Sequence, residues 1–471
     1  MTTQMTSTEP TPLFTRNQVI VLFLAAVALR LAYLGIVVAL DGNINNGSDS
    51  GKFLQLAANI NKFGSLVNWD LGVFGRDTGR MPLYPYLIAG ILDIAGEQRL
   101  WAVAFIQAFV DASTVFAIGL LAGAIDRRWA LPAAILACIW ASLVILTSFV
   151  LADTVFMAFF CWGLCACVWA TRSERKLLLV VAAGLAFSLA LLTRPTLMFF
   201  PYFLVPALTV LLWARGNQSW RRAVLLALVP AVMMFAAVAP RASENYHQYG
   251  TLVVTTQSGN HALDVVDQFI RLCDRCVNED METKMHAEVK ARLKAQSRVD
   301  QQNPTILDGI RRGVAIEYLK QIPLGTLFKG TILGSVRSAF QSGIYVTGHQ
   351  FRLDPKFLST VPGDSFTGRL WTFVKTLPSD GFLLLWAIAQ LFAITAVALQ
   401  ISGALRGVHE RETRPYILFL LGIAAYFLAL NGPFGNPRYA IPLTPVFVVL
   451  AAAGISGLLA RCALKRSSVT E

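Results

Sequence analysis

Ten separate runs of about 20 apolar residues leave this chain few ways to fold. A bilayer core is about 30 Å thick and takes about 20 helical residues to cross. The runs fall at 18–40, 99–125, 129–149, 151–170, 177–193, 196–214, 223–240, 382–403, 415–431 and 440–461. Charged residues make up 14% of the chain, against roughly 25% in an ordinary soluble domain. A water-soluble fold of this composition would expose much of its apolar surface, and a disordered or coiled-coil chain would be polar or heptad-patterned. The runs therefore predict an all-α polytopic membrane protein with about ten transmembrane helices. The first run is too long for a signal-peptide core and lacks a small-residue cleavage site, so it is expected to stay as an anchor.

The net charge of +12 is explained by where the charges sit. One set of span ends carries Arg16, Arg127, Arg128, Arg172, Arg175, Lys176, Arg215, Arg221, Arg222, Arg406, Arg411, Arg414, Arg461, Lys465 and Arg466, while the opposite short turns carry only Arg194 and Arg438. By the positive-inside rule both termini are cytoplasmic. The basic balance is then a topology signal with anionic headgroup contact, and nucleic acid is not expected as a partner. The expected organisation is a cytoplasmic tail at 1–17 and a transmembrane catalytic module at 18–240 with a first outer loop at 41–98. A large periplasmic loop with interfacial helices at 241–381, C-terminal transmembrane helices at 382–461 and a cytoplasmic tail at 462–471 follow. No internal repeat of the inverted-transporter kind is visible.

In the first outer loop, Phe53, Leu56, Ala57, Ile60 and Phe63 recur at helical spacing and Gly64 ends the pattern. This predicts a juxtamembrane amphipathic helix over 48–64. Asp49 stands at its start, where the bland reading is a helix cap. Residues 80–86 then read Arg-Met-Pro-Leu-Tyr-Pro-Tyr and open an apolar helix, 83–95, too short to span.

An outer carboxylate, a juxtamembrane helix and Arg-x-Pro-x-Tyr-Pro together resemble the first outer loop of the GT-C membrane glycosyltransferases that use polyprenyl-phosphate sugars. Within that class the chain looks closest to bacterial relatives of the protein O-mannosyltransferases and of the lipid A aminoarabinose transferase. Further elements resemble theirs: Leu151-Ala152-Asp153-Thr154-Val155-Phe156 opening the fourth span, Leu192-Thr193-Arg194-Pro195-Thr196 between the fifth and sixth, residues 240–263 after the seventh, and Asn436-Pro437-Arg438-Tyr439 opening the last. The family often has Arg-Asn where this chain has Glu244-Asn245. The resemblance implies a GT-C-type bundle in a bacterial inner membrane with its active site facing the periplasm. It also implies a polyprenyl-phosphate sugar donor, and a base role for the first-loop carboxylate. The acceptor is left open among lipid A or lipopolysaccharide, an envelope polysaccharide and protein.

Transfer from such a donor has definite needs. The lipid tail stays in the bilayer, so chemistry occurs at the membrane rim. The leaving phosphate gains negative charge and needs fixed cationic donors. The attacking hydroxyl needs a carboxylate within hydrogen-bond reach to take its proton. The topology puts Asp49, Asp153, Arg80, Arg194 and Arg438 on one face. Asp49 is the expected general base of a single displacement with inversion. Asp153 is the second catalytic carboxylate, which orients the acceptor, the sugar or an arginine. Arg80, Arg194 and Arg438 are candidate phosphate ligands, and Tyr84 and Tyr439 complete the candidate substrate residues. The bland alternatives are snorkelling for Arg194 and Arg438, an N-cap for Asp153 and interfacial-belt aromatics for the tyrosines. No metal ligands are assigned, no cofactor is named, and a divalent cation is left open.

Arg30 and Asp111 lie mid-span with opposite signs, which reads as a structural pair ahead of a proton or ion path. Cys273 and Cys276 read as a short-range disulfide ahead of a zinc site completed by His261 or His286. Residues 281–300 read as a solvated helix, and 314–340 as an outer-face interfacial one. Two rival functions remain: a transporter or flippase of a lipid-linked precursor, disfavoured because the ionisable residues gather at one rim, and a polysaccharide polymerase or ligase using Arg241, His247 or His261.

Overall fold

A computed structural model describes residues 12–45, 47–68, 75–340, 343–353, 365–376 and 381–467. Most of the expected tail 1–17, residues 69–74 of the first loop, much of 341–380 and the last four residues of the tail 462–471 lie outside the described residues. Helix α1 (Arg16–Ala39) begins on a capping box: Thr15 Oγ1 accepts the Gln18 N–H at 3.2 Å and Gln18 Oε1 accepts the Thr15 N–H at 2.8 Å. Each side chain satisfies a backbone donor that the helix start leaves open. The first loop follows as α2 (Gly47–Phe63), an antiparallel ribbon of β1 (Val67–Asn68) with β2 (Gly75–Arg76) that pairs Val67 with Arg76, and α3 (Leu83–Ala95). The two helices expected from periodicity are both present. Their apolar faces meet as a small core of Phe53, Leu56, Ala57 and Ile60 against Tyr84, Ile88 and Leu92.

The main bundle continues as α4 (Leu100–Ile125), α5 (Ala130–Ile139), α6 (Ala141–Leu146), α7 (Asp153–Ala170), α8 (Lys176–Thr193), α9 (Phe200–Arg215) and α10 (Trp220–Tyr249). An outer helical layer comprises α11 (Ser258–Arg271), α12 (Asp274–Asn278), α13 (Met281–Lys294), α14 (Arg298–Gln301) and α15 (Pro304–Leu319). It has its own core of Leu263, Val266, Phe269, Ile270, Met285 and Val314. Then come α16 (Leu324–Phe340), α17 (Tyr345–Gln350), α18 (Phe366–Thr376), α19 (Gly381–His409), α20 (Arg414–Asn431), α21 (Pro437–Ala440) and α22 (Thr444–Ser467). Among the described residues, eight helices are long and apolar enough to cross a membrane, and α9 is apolar but 16 residues long. Gly163 of α7 lets the helices close tightly, since a Cβ there would lie 2.5 Å from the Phe187 ring of α8. Small residues at helix contacts serve membrane bundles in this way.

The run at 129–149 departs from expectation. It is not one helix but two, α5 and α6, separated by an extended Trp140 (φ −67°, ψ 111°). Tertiary donors take carbonyls beside the break and beyond the end of α6. Arg30 Nη1 donates to Cys138 O at 3.1 Å, and Gln107 Nε2 donates to Thr147 O at 2.9 Å and Phe149 O at 2.7 Å. Irregular backbone at membrane depth is tolerated when it is buried in protein and satisfied. Past the end of α6, Val150 donates its N–H to Ile44 O at 3.1 Å, which draws the start of α7 toward the start of α2. A second departure is that α10 runs past Pro240 to Tyr249 and ends on Gly250 in the left-handed region (φ 70°), so the seventh span projects nine residues beyond its expected limit.

Arg30 and Asp111 form the structural pair. Both are buried, and Arg30 Nε donates to Asp111 Oδ2 at 2.6 Å. Removing one partner strands a buried charge, whereas replacing both with apolar residues removes the demand. Arg30→Met should therefore cost about 3 kcal/mol, and Arg30→Met with Asp111→Leu should recover most of it. Thermal unfolding in detergent checks this; a double variant as unstable as the single one would contradict the pairing.

Candidate active site

Four separate stretches of chain meet at one rim of the bundle. Asp49 lies in the first turn of α2, one residue pair inside the helix start, so it is not the cap. Its two oxygens are shared: Arg80 Nη2 donates to Oδ1 at 2.6 Å and Arg438 Nη1 donates to Oδ2 at 2.8 Å. Asp153 opens α7 without capping it. It accepts from Arg194 through Oδ1 and from Arg438 Nη2 through Oδ2, the latter at 3.3 Å. Arg438 thus bridges both carboxylates, and the five residues form one chain of charge: Arg80, Asp49, Arg438, Asp153, Arg194.

Local sequence explains each placement. Asp77 accepts the Arg80 backbone N–H at 2.7 Å, which shapes the turn before α3, and the Arg80 guanidinium lies 5.3 Å from the Phe53 ring centroid. Arg194 precedes Pro195, and a residue before proline is pushed out of the helical region. Its extended backbone (φ −142°, ψ 135°) ends α8 and turns the guanidinium onto Asp153, above Phe156. Asn436 caps α21 by accepting the Arg438 N–H at 2.9 Å, and Asn431 Nδ2 donates to Tyr439 O at 2.8 Å.

The electrostatics are uneven. Asp153 is 1% exposed and Asp49 is 30% exposed, so Asp49 is the carboxylate a substrate can reach. Burial pushes the Asp49 carboxyl up, but the Arg438 and Arg80 guanidiniums outweigh it and hold it below the ordinary carboxylate value. Three guanidiniums against two carboxylates leave one formal positive charge. Arg438 Nε is buried and has no acceptor among the described residues. Arg194 and Arg438 do not snorkel; both turn inward to carboxylates.

The tyrosines separate. Tyr439 borders the group, its ring 5.2 Å from that of Phe434. Tyr84, expected among the substrate residues, is fully buried: its hydroxyl donates to Gln107 Oε1 at 2.6 Å and its ring meets Phe53 edge-on at 4.9 Å. It offers no surface to a ligand in this conformation and instead supports α2 from below, because Gln107 needs a donor beneath the broken run.

Arg241, His247 and His261, named in the sequence for the polymerase or ligase alternative, take other places here. Arg241 of α10 donates from Nη2 to Asp77 O at 2.9 Å and to Arg80 O at 2.7 Å, bracing the turn that carries Arg80. Asn245 Nδ2 donates to Val253 O at 2.7 Å, and Glu244 pairs with Arg76, so neither reaches the charge chain. His261 of α11 stacks on Phe434 at 5.9 Å and meets Tyr439 at 6.3 Å. His247 is exposed at the end of α10.

Residues 79–243 match the family described as dolichyl-phosphate-mannose-protein mannosyltransferase. No curated protein matches the chain. Among solved structures, the chain is similar to the Archaeoglobus fulgidus oligosaccharyltransferase in complex with zinc and sulfate, at 16% identity and a TM-score of 0.53, over 95% of this chain and 49% of that one. It is also similar to the archaeal oligosaccharyltransferase AglB from Archaeoglobus fulgidus in complex with an inhibitory peptide and a dolichol-phosphate, at 15% identity and 0.51, over 94% and 51%. ArnT from Cupriavidus metallidurans bound to undecaprenyl phosphate matches at 15% identity and 0.36, over 94% and 78%. The chain spans about half the length of the oligosaccharyltransferase chains it matches. It has the GT-C fold of membrane glycosyltransferases.

Proposed function

We propose that this protein is a membrane glycosyltransferase that moves a sugar from a polyprenyl-phosphate donor to an acceptor hydroxyl at the outer face of a bacterial inner membrane. The observation that carries the reading is the chain of Arg80, Asp49, Arg438, Asp153 and Arg194. Its single surplus positive charge matches one phosphodiester, which carries one negative charge. The Lys/Arg bias of the opposite span ends supports the outward orientation.

In the proposed step the acceptor oxygen attacks the anomeric carbon as the bond from that carbon to the phosphate oxygen breaks, with inversion. Asp49 takes the hydroxyl proton. The polyprenyl phosphate leaves with a second negative charge, which Arg80, Arg438 and Arg194 stabilise as it develops. Phosphate draws Arg80 and Arg438 away from Asp49, so donor binding raises the basicity of the very carboxylate that must accept the proton. Asp153, buried and doubly paired, keeps Arg194 and Arg438 aimed. The acceptor is a hydroxyl on lipid A or lipopolysaccharide, an envelope polysaccharide or a protein, approaching from the aqueous side. A divalent cation is tested by adding a chelator to the assay.

The pH dependence has a definite sign. Because the folded Asp49 carboxyl lies below its ordinary value, it stays ionised in the free protein down to about pH 4. The kcat/KM profile should show no acid limb from Asp49 between pH 5 and about 4, whereas kcat, which reports the donor complex, should fall at a higher pH. By the same linkage, the stability Asp49 contributes is present above its unfolded value and lost as pH falls through the folded one. A kcat/KM limb above pH 5 that disappears in Asp49→Asn would contradict the lowered Asp49 carboxyl of the free protein, though not its role as base.

A further inference from the structure

We propose that Asp267, Glu282 and His286 form a zinc site that staples α11 to α13 in the outer helical layer. The three lie on two helices separated in sequence by α12, and one ligand atom from each falls within 4.8 Å of the others. His286 Nε2 is 3.0 Å from Asp267 Oδ2. One imidazole nitrogen and two carboxylate oxygens make a donor set suited to zinc.

A second observation points to a missing ligand. Asp267 is 8% exposed, and its Oδ1 is buried with no hydrogen-bond partner among the described residues. Buried carboxylate oxygens are normally satisfied, and an orphan calls for a cation or a water. Asp264, one turn before Asp267, adds negative charge facing both His286 and His261. Glu282 is held meanwhile by Arg271, which donates from Nε at 3.2 Å and Nη2 at 2.8 Å. Arg271 is 58% exposed, so it is free to swing into solvent when a cation takes its place. The site does not use the Cys273 and Cys276 thiols, which are joined in the expected disulfide.

The consequence reaches the active site through α11. The same helix carries His261, which leans on Tyr439 beside Arg438, so a staple at Asp267 would hold that helix over the charge chain.

The test is zinc binding to the full-length protein in detergent, without an affinity tag, stripped with a chelator and kept oxidised. Zinc is titrated by calorimetry and counted by elemental analysis. The wild type should hold one zinc per chain and melt at a higher temperature with zinc than without. His286→Gln and Glu282→Gln should each weaken zinc by at least about 10-fold and lose the melting shift. His247→Gln should behave as wild type. Glu282 is only half-buried, so its variant keeps the test valid if His286→Gln fails to fold. No saturable binding, or binding undiminished in both variants, overturns the proposal.

Discussion

Asp49→Asn should lower sugar transfer by about 10²–10⁴-fold, the contribution a general base makes, while the protein folds and extracts as wild type does. Asparagine keeps the shape of aspartate but takes no proton. The same change leaves three guanidiniums facing one carboxylate, so polyprenyl phosphate should bind at least as tightly as before. The loss should therefore fall on kcat and not on KM. Asp49→Glu should recover part of the rate. This split separates a base from a mere anchor for Arg80 and Arg438, whose loss would weaken donor binding as well. Full activity of Asp49→Asn removes the assignment.

Arg438→Ala should cost about 10³-fold in kcat/KM, the upper range for removing a charge-stabilising donor. Arg438 touches both carboxylates, with Nη1 on Asp49 and Nη2 on Asp153. Its loss leaves the buried Asp153 with Arg194 alone and uncouples the two halves of the site. Arg438→Lys should restore little, because an ammonium lacks the planar fork that spans two acceptors. If lysine restored near wild-type transfer, point charge alone would suffice and the bridging role would fail. Steady-state transfer kinetics with both variants decide between these outcomes.

Much of the fold was legible in the sequence because the bilayer simplifies the problem. Apolar runs of span length mark most of the long helices with little help from tertiary contacts. The amphipathic helix at 48–64 and the short helix at 83–95 were readable from periodicity, and the disulfide from the Cys273 and Cys276 spacing. The break at Trp140 was not readable, since no charged residue, glycine or proline adjoins it in the run 129–149. Beside the break Arg30 of α1 takes the Cys138 carbonyl, and beyond α6 Gln107 of α4 takes those of Thr147 and Phe149, contacts that no local pattern announces. The charge chain was legible in kind, because five ionisable residues at one rim of an apolar protein are conspicuous. Its connectivity was not: nothing in the sequence says that Arg438 lies between Asp49 and Asp153, 389 and 285 positions away. Tyr84 misled for the opposite reason. An aromatic with a hydroxyl in a motif reads as a binding group, yet its partner Gln107 lies beneath it in the core.

The most direct test of the account is the fate of the lipid. Purified protein in liposomes is given a small panel of polyprenyl-phosphate sugars, with and without a chelator, and the lipid products are separated by mass spectrometry. Wild-type protein is expected to release sugar-free polyprenyl phosphate and a glycosylated acceptor from at least one donor, and Asp49→Asn to release both at least about 10²-fold more slowly. Intact donor appearing in the opposite leaflet, with no sugar lost from it, would contradict the account and assign the charge chain to lipid movement.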